Sequence, residues 1–493
     1  MKTVHYRAAA LAALLAGAAA SVHADPVPLP DPQIPGYHFP ETEATLLGWV
    51  NQPTAANRQS IDLHGWGLWA SLTAPSGQTE FGIQNVPVYL TWLSPQEIAK
   101  LPPGTAPNAM KLAHVQRALT LGLPTQFFRS KSLIDKLNKE AKLEKDAAKH
   151  RKLLGAASST PMSVRDTDVT ETVGYDPSAA AFAQQNNLFS LAALRAIYKA
   201  GNASIPAFPD TAVTIKPVYK VVSKAHSFQN LYVMPAWPGT PEVITPKIKS
   251  EGFPESSWPG CVYVDNQNTG TSTASGVDPT CKGPTANSTY GLGDFIHATV
   301  TKDNIDQIKS TSRLTDIELG DTVILVAMHV TSREMTEWTW QSYFWTPDPA
   351  NPPLPSSAEV ASHRPAQLTG PAAHYAMTIG YQMVAPNQPV SGGKSVGEPV
   401  IAYNPYLESG FNAATFGPTP ANPGITNPAT GKTYMATVGV QTNCMACHGT
   451  ASAAFDGSKR LAYLTDMYLS RTDPVFQKHL QTEFLWSIPD NAK

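Results

Sequence analysis

The sequence predicts an α+β protein with a loop- and proline-rich body, short and mostly antiparallel strands, and a few helices. Charged residues make up 15% and apolar residues 42% of the 493 residues, a composition that can bury a core and is not that of a disordered chain. The 44 prolines exceed the usual share of about 5%. Because proline ends helices and interrupts sheets, this content favours short elements joined by turns and long ordered loops.

The first 24 residues have the pattern of a signal peptide. Lys2 and Arg7 precede an apolar run over residues 8–22, and Val22-His23-Ala24 fits a cleavage site. The run is shorter than the roughly 20 residues of a spanning helix. The sequence therefore predicts an exported, periplasmic protein without a membrane span. A net charge of −2 gives no basic bias toward nucleic acid.

Local patterns predict individual elements along the body. Apolar and β-branched runs predict strands, and periodic runs after a Ser or Pro predict helices. The predicted strands are residues 86–93, 213–222, 321–330 and 337–345, and the predicted helices begin at Pro95 and cover residues 188–200. Residues 346–365 read as a linker or long loop. Residues 129–152 predict a solvated, charge-rich helix, with a basic docking face for an acidic redox partner as the alternative.

The four cysteines form two pairs. Cys261 and Cys281 lie in a turn-rich stretch, which in an exported protein predicts a structural disulfide; a redox-active pair is the weaker alternative, since Cys-x-x-Cys spacing is absent. The other pair lies in Cys444-Met445-Ala446-Cys447-His448, which matches Cys-x-x-Cys-His, the attachment sequence of c-type haem. In that chemistry two thiols add to the vinyl groups of the macrocycle, and the adjacent imidazole binds iron from the proximal side.

A Cys-x-x-Cys-His sequence is also compatible with three alternatives to haem attachment. A thioredoxin-like dithiol belongs in a βαβ unit, whereas this motif follows a Gly/Pro/Asn/Thr-rich stretch near the C-terminus. A zinc site would use four ligands in paired clusters, and the sequence has no second Cys-x-x-Cys. A chance match of a short pattern is the third. Export and the pairing of every cysteine favour one covalently attached haem.

The export signal together with Cys444, Cys447 and His448 resembles the c-type cytochromes of bacterial cell envelopes, and the length resembles their large single-haem members. The resemblance implies thioether bonds from Cys444 and Cys447, and His448 as the proximal ligand of haem iron. The sequence as a whole predicts a signal peptide (1–24), a large α+β body of unknown role (25–430) and a C-terminal haem-attachment segment (431–493).

A sixth iron ligand is not singled out by the sequence. Downstream of the motif, Met467 is the first candidate and His479 the second, although a core methionine and a surface histidine are the more ordinary roles of such residues. The upstream candidates are Met328, His329, His374, Met377 and Met383. Aromatic residues Trp338, Trp340 and Phe344, predicted on one side of a strand, could wall a haem pocket or belong to ordinary core. His64 is a minor candidate for catalysis.

Electron transfer through one covalent haem c is the function that these observations favour, with a redox partner protein of unknown identity. The alternative is a haem-dependent oxidoreductase, peroxidase- or oxygenase-like, with an open distal site. Several hundred residues beyond the needs of a small carrier favour that alternative, and a haem-based sensor is a third, weaker hypothesis.

Overall fold

The structure is a computed structural model that describes residues 24–79, 83–101, 169–302, 304–305, 308–309, 316–388, 397–416, 425–426, 433–434, 438–463 and 468–493. The predicted signal peptide lies outside the described residues except for Ala24, and the charge-rich residues 129–152 lie outside them entirely. Among the described residues, no helix has the length and apolarity needed to cross a bilayer.

Apart from one helix of 19 residues, the helices are short, and most begin at a side chain that caps them. Thr42, Thr54, Ser94, Asp176 and Ser190 each accept a hydrogen bond from a backbone N–H in the first turn that follows. In chain order the helices are α1 (Glu43–Asn51), α2 (Ala55–Thr73), α3 (Pro95–Ile98), α4 (Pro177–Gln185), α5 (Leu191–Lys199), α6 (Pro246–Glu251), α7 (Ala358–Ser362), α8 (Pro405–Glu408), α9 (Ala413–Phe416), α10 (Cys444–Gly449) and α11 (Ser487–Asn491).

The strands build one large antiparallel sheet and several small ones. The large sheet has the order β1-β3-β8-β9-β10, with β2 also paired to β3 and β7 to β8. A smaller sheet has the order β4-β5-β6, in which β5 and β6 are parallel. The strands are β1 (Val169–Glu171), β2 (Gly174–Tyr175), β3 (Val213–Val222), β4 (Leu231–Ala236), β5 (Gly260–Asp265), β6 (Thr289–Gly291), β7 (His297–Thr299), β8 (Thr322–Ser332), β9 (Thr339–Trp345), β10 (Tyr375–Ile379), β11 (Val384–Ala385), β12 (Glu398–Pro399), β13 (Ile425–Thr426), β14 (Thr433–Tyr434), β15 (Ser452–Ala454) and β16 (His479–Gln481). The α+β class is confirmed.

The long apolar runs behave as predicted. Strand β3 covers the predicted residues, and β8 and β9 overlap the predicted strands closely. Every residue of β8 and β9 is buried, as expected for central strands that are covered on both faces. The helix predicted over residues 188–200 is α5, and the one beginning at Pro95 is α3.

Two local predictions need correction. Residues 86–93 contain a 3-10 helix, Val88–Thr91, instead of a strand. Pro87 stands at its N-cap without an N–H to donate, and the Leu90 N–H bonds back to the Pro87 carbonyl at 3.0 Å, which closes a tight turn. The predicted loop over residues 346–365 also contains the short helix α7, which begins after the Ser357 cap.

The two largest hydrophobic clusters among the described residues organise the interior. The first packs α2 and the β4-β5-β6 sheet around the large sheet. The second joins the motif helix α10, through Met445 and Ala446, to α4, to Trp338 and Trp340, and to the C-terminal residues Leu485 and Ile488. The Cys-x-x-Cys-His motif is thus part of a core that it shares with residues from the body. The predicted division at residues 430 and 431 stays a prediction.

An ion pair lies against the first cluster. Lys220 on β3 is fully buried, and its Nζ lies 2.6 Å from Oε2 of Glu255, whose side chain is 9% exposed. The amine is therefore held away from water beside a carboxylate. Removing either partner leaves a buried charge unpaired, which lowers the free energy of unfolding.

A disulfide joins Cys261 on β5 to Cys281, with 5.5 Å between the Cα atoms. The loop that it closes also turns around Asp278. The N–H of Gly283 and the hydroxyl of Tyr263 donate hydrogen bonds to this carboxylate, which holds its pKa well below the ordinary value. Asp278 is also paired with Cys261 by two backbone hydrogen bonds, so the disulfide and Asp278 hold the same part of the loop.

Replacing both Cys261 and Cys281 with alanine should lower the free energy of unfolding by roughly 3 kcal/mol, because the bond closes a loop of 20 residues in the unfolded chain. Urea unfolding of the variant and of the wild type measures the difference. Reduction of the wild type before unfolding should produce a similar loss, and a variant within about 0.5 kcal/mol of wild type would contradict the prediction.

Candidate functional site

The Cys-x-x-Cys-His motif forms the short helix α10, and its cap explains why it starts there. Oδ1 of Asn443 accepts hydrogen bonds from the N–H groups of Met445 and Ala446 at 2.9 and 3.3 Å. Nδ2 of Asn443 donates to the Val400 carbonyl at 2.7 Å, which ties the cap to the preceding segment. A helix places positions i, i+3 and i+4 on one face, so Cys444, Cys447 and His448 lie side by side.

All three motif residues line one cavity of about 380 Å³. Its other walls come from β3, β8 and β9 of the large sheet and from the C-terminal residues 485–491. This volume is within the range of roughly 300–1,000 Å³ typical of pockets for small molecules and cofactors. The cavity therefore lies between the motif helix and the central strands.

The ring of His448 is held in one orientation by a backbone carbonyl. Nδ1 lies 2.7 Å from the Phe484 carbonyl oxygen, and because a carbonyl only accepts, Nδ1 carries the proton and donates it. Nε2 consequently keeps its lone pair. Burial lowers the pKa of His448 to about 3, which keeps the imidazole neutral. The Trp340 ring lies against it, with 4.3 Å between ring centroids.

The two motif cysteines are thiols that are not joined to each other. Cys444 is 9% exposed, and its Sγ lies 3.2 Å from the Ala402 carbonyl. Burial, followed by the nearby Glu408 charge, raises the pKa of Cys444 well above its ordinary value. A redox-active dithiol needs a lowered thiol pKa, so this environment weighs against the thioredoxin-like alternative.

The zinc alternative gains no support from the geometry. Across the described part of the chain, no three His, Cys, Asp or Glu side chains gather in a group that could hold a metal ion. His448 and the two cysteines share the cavity wall with aromatic residues such as Trp340 and Trp486 and with charged residues.

Charged groups lie on the sheet side of the cavity. Nε2 of His329 on β8 lies 2.8 Å from Oε1 of Glu408, and Nδ1 of the same ring is 3.9 Å from the Cys444 sulfur. Lys216 is the register partner of His329 on β3, and its Nζ lies 2.8 Å from Oε2 of Glu171. Both pairs line the cavity, so it contains acidic and basic groups close to the motif helix.

Of the described candidates for a sixth ligand, His329 lines this cavity. Met328, one residue earlier, points to the opposite side of β8 and is fully buried in the first cluster. Met383 belongs to the second cluster, where its sulfur accepts a hydrogen bond from the Leu469 N–H at 3.4 Å. Met377 lies on β10 in the first cluster. Met467 lies outside the described residues.

The remaining histidine candidates have partners away from the cavity. His479 is buried, and its two ring nitrogens lie 2.9 Å from the carbonyl oxygens of Gln477 and Lys459, so it is not the surface residue that the sequence suggested. His374 lies 3.6 Å from Asp294. His64 is buried between Tyr381 and Glu334, at 2.6 and 3.1 Å, and does not line the cavity.

The three aromatic residues predicted on one side of a strand are divided between two environments. Trp340 lies on β9 and lines the cavity. Trp338 precedes the strand with a φ of 60°, and its ring packs on Phe208 at 5.6 Å between centroids. Phe344 belongs to the first cluster. One of the three therefore walls the pocket, and the other two are core.

Fold and site together define an α+β protein in which a Cys-x-x-Cys-His helix closes a cavity against an antiparallel sheet. Comparison with protein-family models, with curated proteins and with solved structures finds no match for this chain. The geometry of the site is consequently the basis for assigning a function.

Proposed function

We propose that this protein carries one covalently attached haem c, bound through Cys444 and Cys447 with His448 as the proximal iron ligand, and that it transfers electrons. The observation that carries the proposal is the shared cavity. Both thiols and the histidine line it, and the Phe484 carbonyl holds the histidine in the tautomer that leaves Nε2 for a metal. The predicted export signal is consistent with a periplasmic location.

The side chains around the cavity suit that cofactor. A bound haem would supply a reversible ferric–ferrous couple. His448 would bind from one side through Nε2, while the proton on Nδ1 stays with the Phe484 carbonyl. Trp340 packs against the imidazole and excludes water there, which limits the reorganisation that accompanies a change of charge.

Haem content tests the proposal. The full chain, exported by a bacterium that matures c-type cytochromes, should contain one haem per chain that survives denaturation in alkaline pyridine. The double variant Cys444→Ala/Cys447→Ala should contain none. The matched control Cys261→Ala/Cys281→Ala also removes two cysteines but should keep its haem. A wild-type protein with only the bare polypeptide mass would overturn the proposal.

A second candidate, a haem-dependent oxidoreductase with an open distal site, is favoured by the charged groups in the cavity. His329 with Glu408 and Lys216 with Glu171 are groups that could donate or accept protons beside a bound ligand. Carbon monoxide separates the two candidates. A ferrous spectrum that carbon monoxide leaves unchanged would support the carrier, and rapid binding would support the enzyme.

A further inference from the structure

The backbone that holds His448 belongs to an unusual turn near the C-terminus. Glu483 and Phe484 have φ angles of 50° and 62°, in the left-handed region that side chains larger than glycine seldom adopt. The turn follows β16 and closes with a hydrogen bond from the Leu485 N–H to the Thr482 carbonyl at 2.9 Å. Two successive residues in this conformation need support from the surrounding structure.

Glu483 supplies that support through two arginines. Its side chain is 4% exposed, and its Oε2 lies 2.9 Å from Nε of Arg333 while its Oε1 lies 2.8 Å from Nη2 of Arg471. Arg333 directly follows β8 and also donates to the Met335 carbonyl at 2.9 Å. The guanidinium of Arg471 lies 5.4 Å from the centre of the Phe484 ring. The carboxylate therefore links the turn to the large sheet.

The turn holds the motif helix at two points. The Phe484 carbonyl accepts the proton of His448 Nδ1 at 2.7 Å, and the indole N–H of Trp486 donates to the Cys447 carbonyl at 3.3 Å. A ligating imidazole that donates its second N–H becomes more basic and is fixed in orientation. Stronger donation from this ligand favours the ferric state and lowers the reduction potential of the iron.

We infer that Glu483, held by Arg333 and Arg471, is a positioning residue that keeps the Phe484 carbonyl on His448 and thereby lowers the haem reduction potential. This inference rests on the proposed function. In the intact turn the His448 N–H is protected from water and the carbonyl stays in place as the iron changes charge. In a loosened turn the hydrogen bond lengthens, the imidazole donates less, and the potential rises.

The test compares Glu483→Gln with Asp490→Asn in the full, haem-loaded chain. Asp490 also lines the cavity and pairs with Arg460, so its replacement removes the same charge while Glu483 and its two arginines stay in place. Glu483→Gln should raise the midpoint potential more than Asp490→Asn does. It should also make exchange of the His448 ring N–H with solvent, followed by NMR, at least tenfold faster than in wild type.

The outcomes distinguish a failure of the role of Glu483 from a failure of the proposed function. Normal haem content with equal potentials in both variants and unchanged N–H exchange would overturn the role of Glu483 alone. A wild-type chain without covalent haem would overturn the proposed function and this inference with it. Should Glu483→Gln fail to fold, Arg471→Gln tests the same link, because its side chain is 25% exposed. It should speed exchange of the His448 ring N–H by a smaller factor, and an unchanged exchange rate would contradict the inference.

Discussion

Replacing His448 with alanine should abolish the wild-type ferrous spectrum and lower the yield of haem-loaded protein at least about tenfold. The reason is geometric. Cys444, Cys447 and His448 share one face of a six-residue helix, and His448 is the residue of this face with a free nitrogen lone pair aimed away from its carbonyl partner. Absorption spectra of the purified, exported variant measure the effect.

The control for this prediction is His38→Ala. His38 is exposed and does not line the cavity, so its loss should leave spectrum and yield at wild-type levels. A His448→Ala protein with the wild-type spectrum would show that another residue binds the iron on the proximal side. Haem that stays covalently attached but has an altered spectrum is compatible with the assignment, since the thioether bonds come from the cysteines.

Glu255→Gln should lower the free energy of unfolding by roughly 3–5 kcal/mol, because it leaves the ammonium of Lys220 without its carboxylate in the interior. Lys220 is fully buried, and the 2.6 Å contact with Glu255 is the ion pair that accompanies its charge there. Urea unfolding at constant pH and salt measures the loss.

Glu251→Gln is the matched control, because Glu251 ends the nearby helix α6 and is exposed; its effect should stay within about 0.5 kcal/mol. The double variant Lys220→Met/Glu255→Leu should recover most of the stability, since two apolar side chains of similar size bury no charge. A Glu255→Gln protein as stable as wild type would show that the pair contributes nothing to the fold.

Elements whose residues are buried along their whole length could be predicted from the sequence. Strand β8 was recognisable as a nearly continuous apolar run, and β3 as a Val- and Ile-rich run that also contains Lys216, Pro217 and Lys220. Residues 86–93 have a comparable composition, yet they form a 3-10 turn that packs in the same core. Apolar content predicts burial in both cases, and Pro87 decides the backbone conformation in the second.

The sequence identified the motif directly because its residues are neighbours, but it could name His329 and Trp340 only as two among several candidates. Cys444, Cys447 and His448 form one motif, whereas Lys216 and His329 meet because β3 and β8 pair in one particular register. Glu408 reaches the cavity through the same tertiary packing. The turn at Glu483 was not predictable either, since neither residue of Glu483-Phe484 favours a positive φ.

The low exposure of Cys444 implies that haem attachment and folding compete while the protein is being made. In the folded chain its sulfur lies 3.2 Å from the Ala402 carbonyl and 3.9 Å from Nδ1 of His329, and only 9% of the residue is exposed. If haem is attached as proposed, we expect the ligation step to precede the packing of the second cluster around α10. A chain that folds first would be trapped as a stable, colourless product, so the fraction of pigmented protein should fall when maturation is slowed relative to folding.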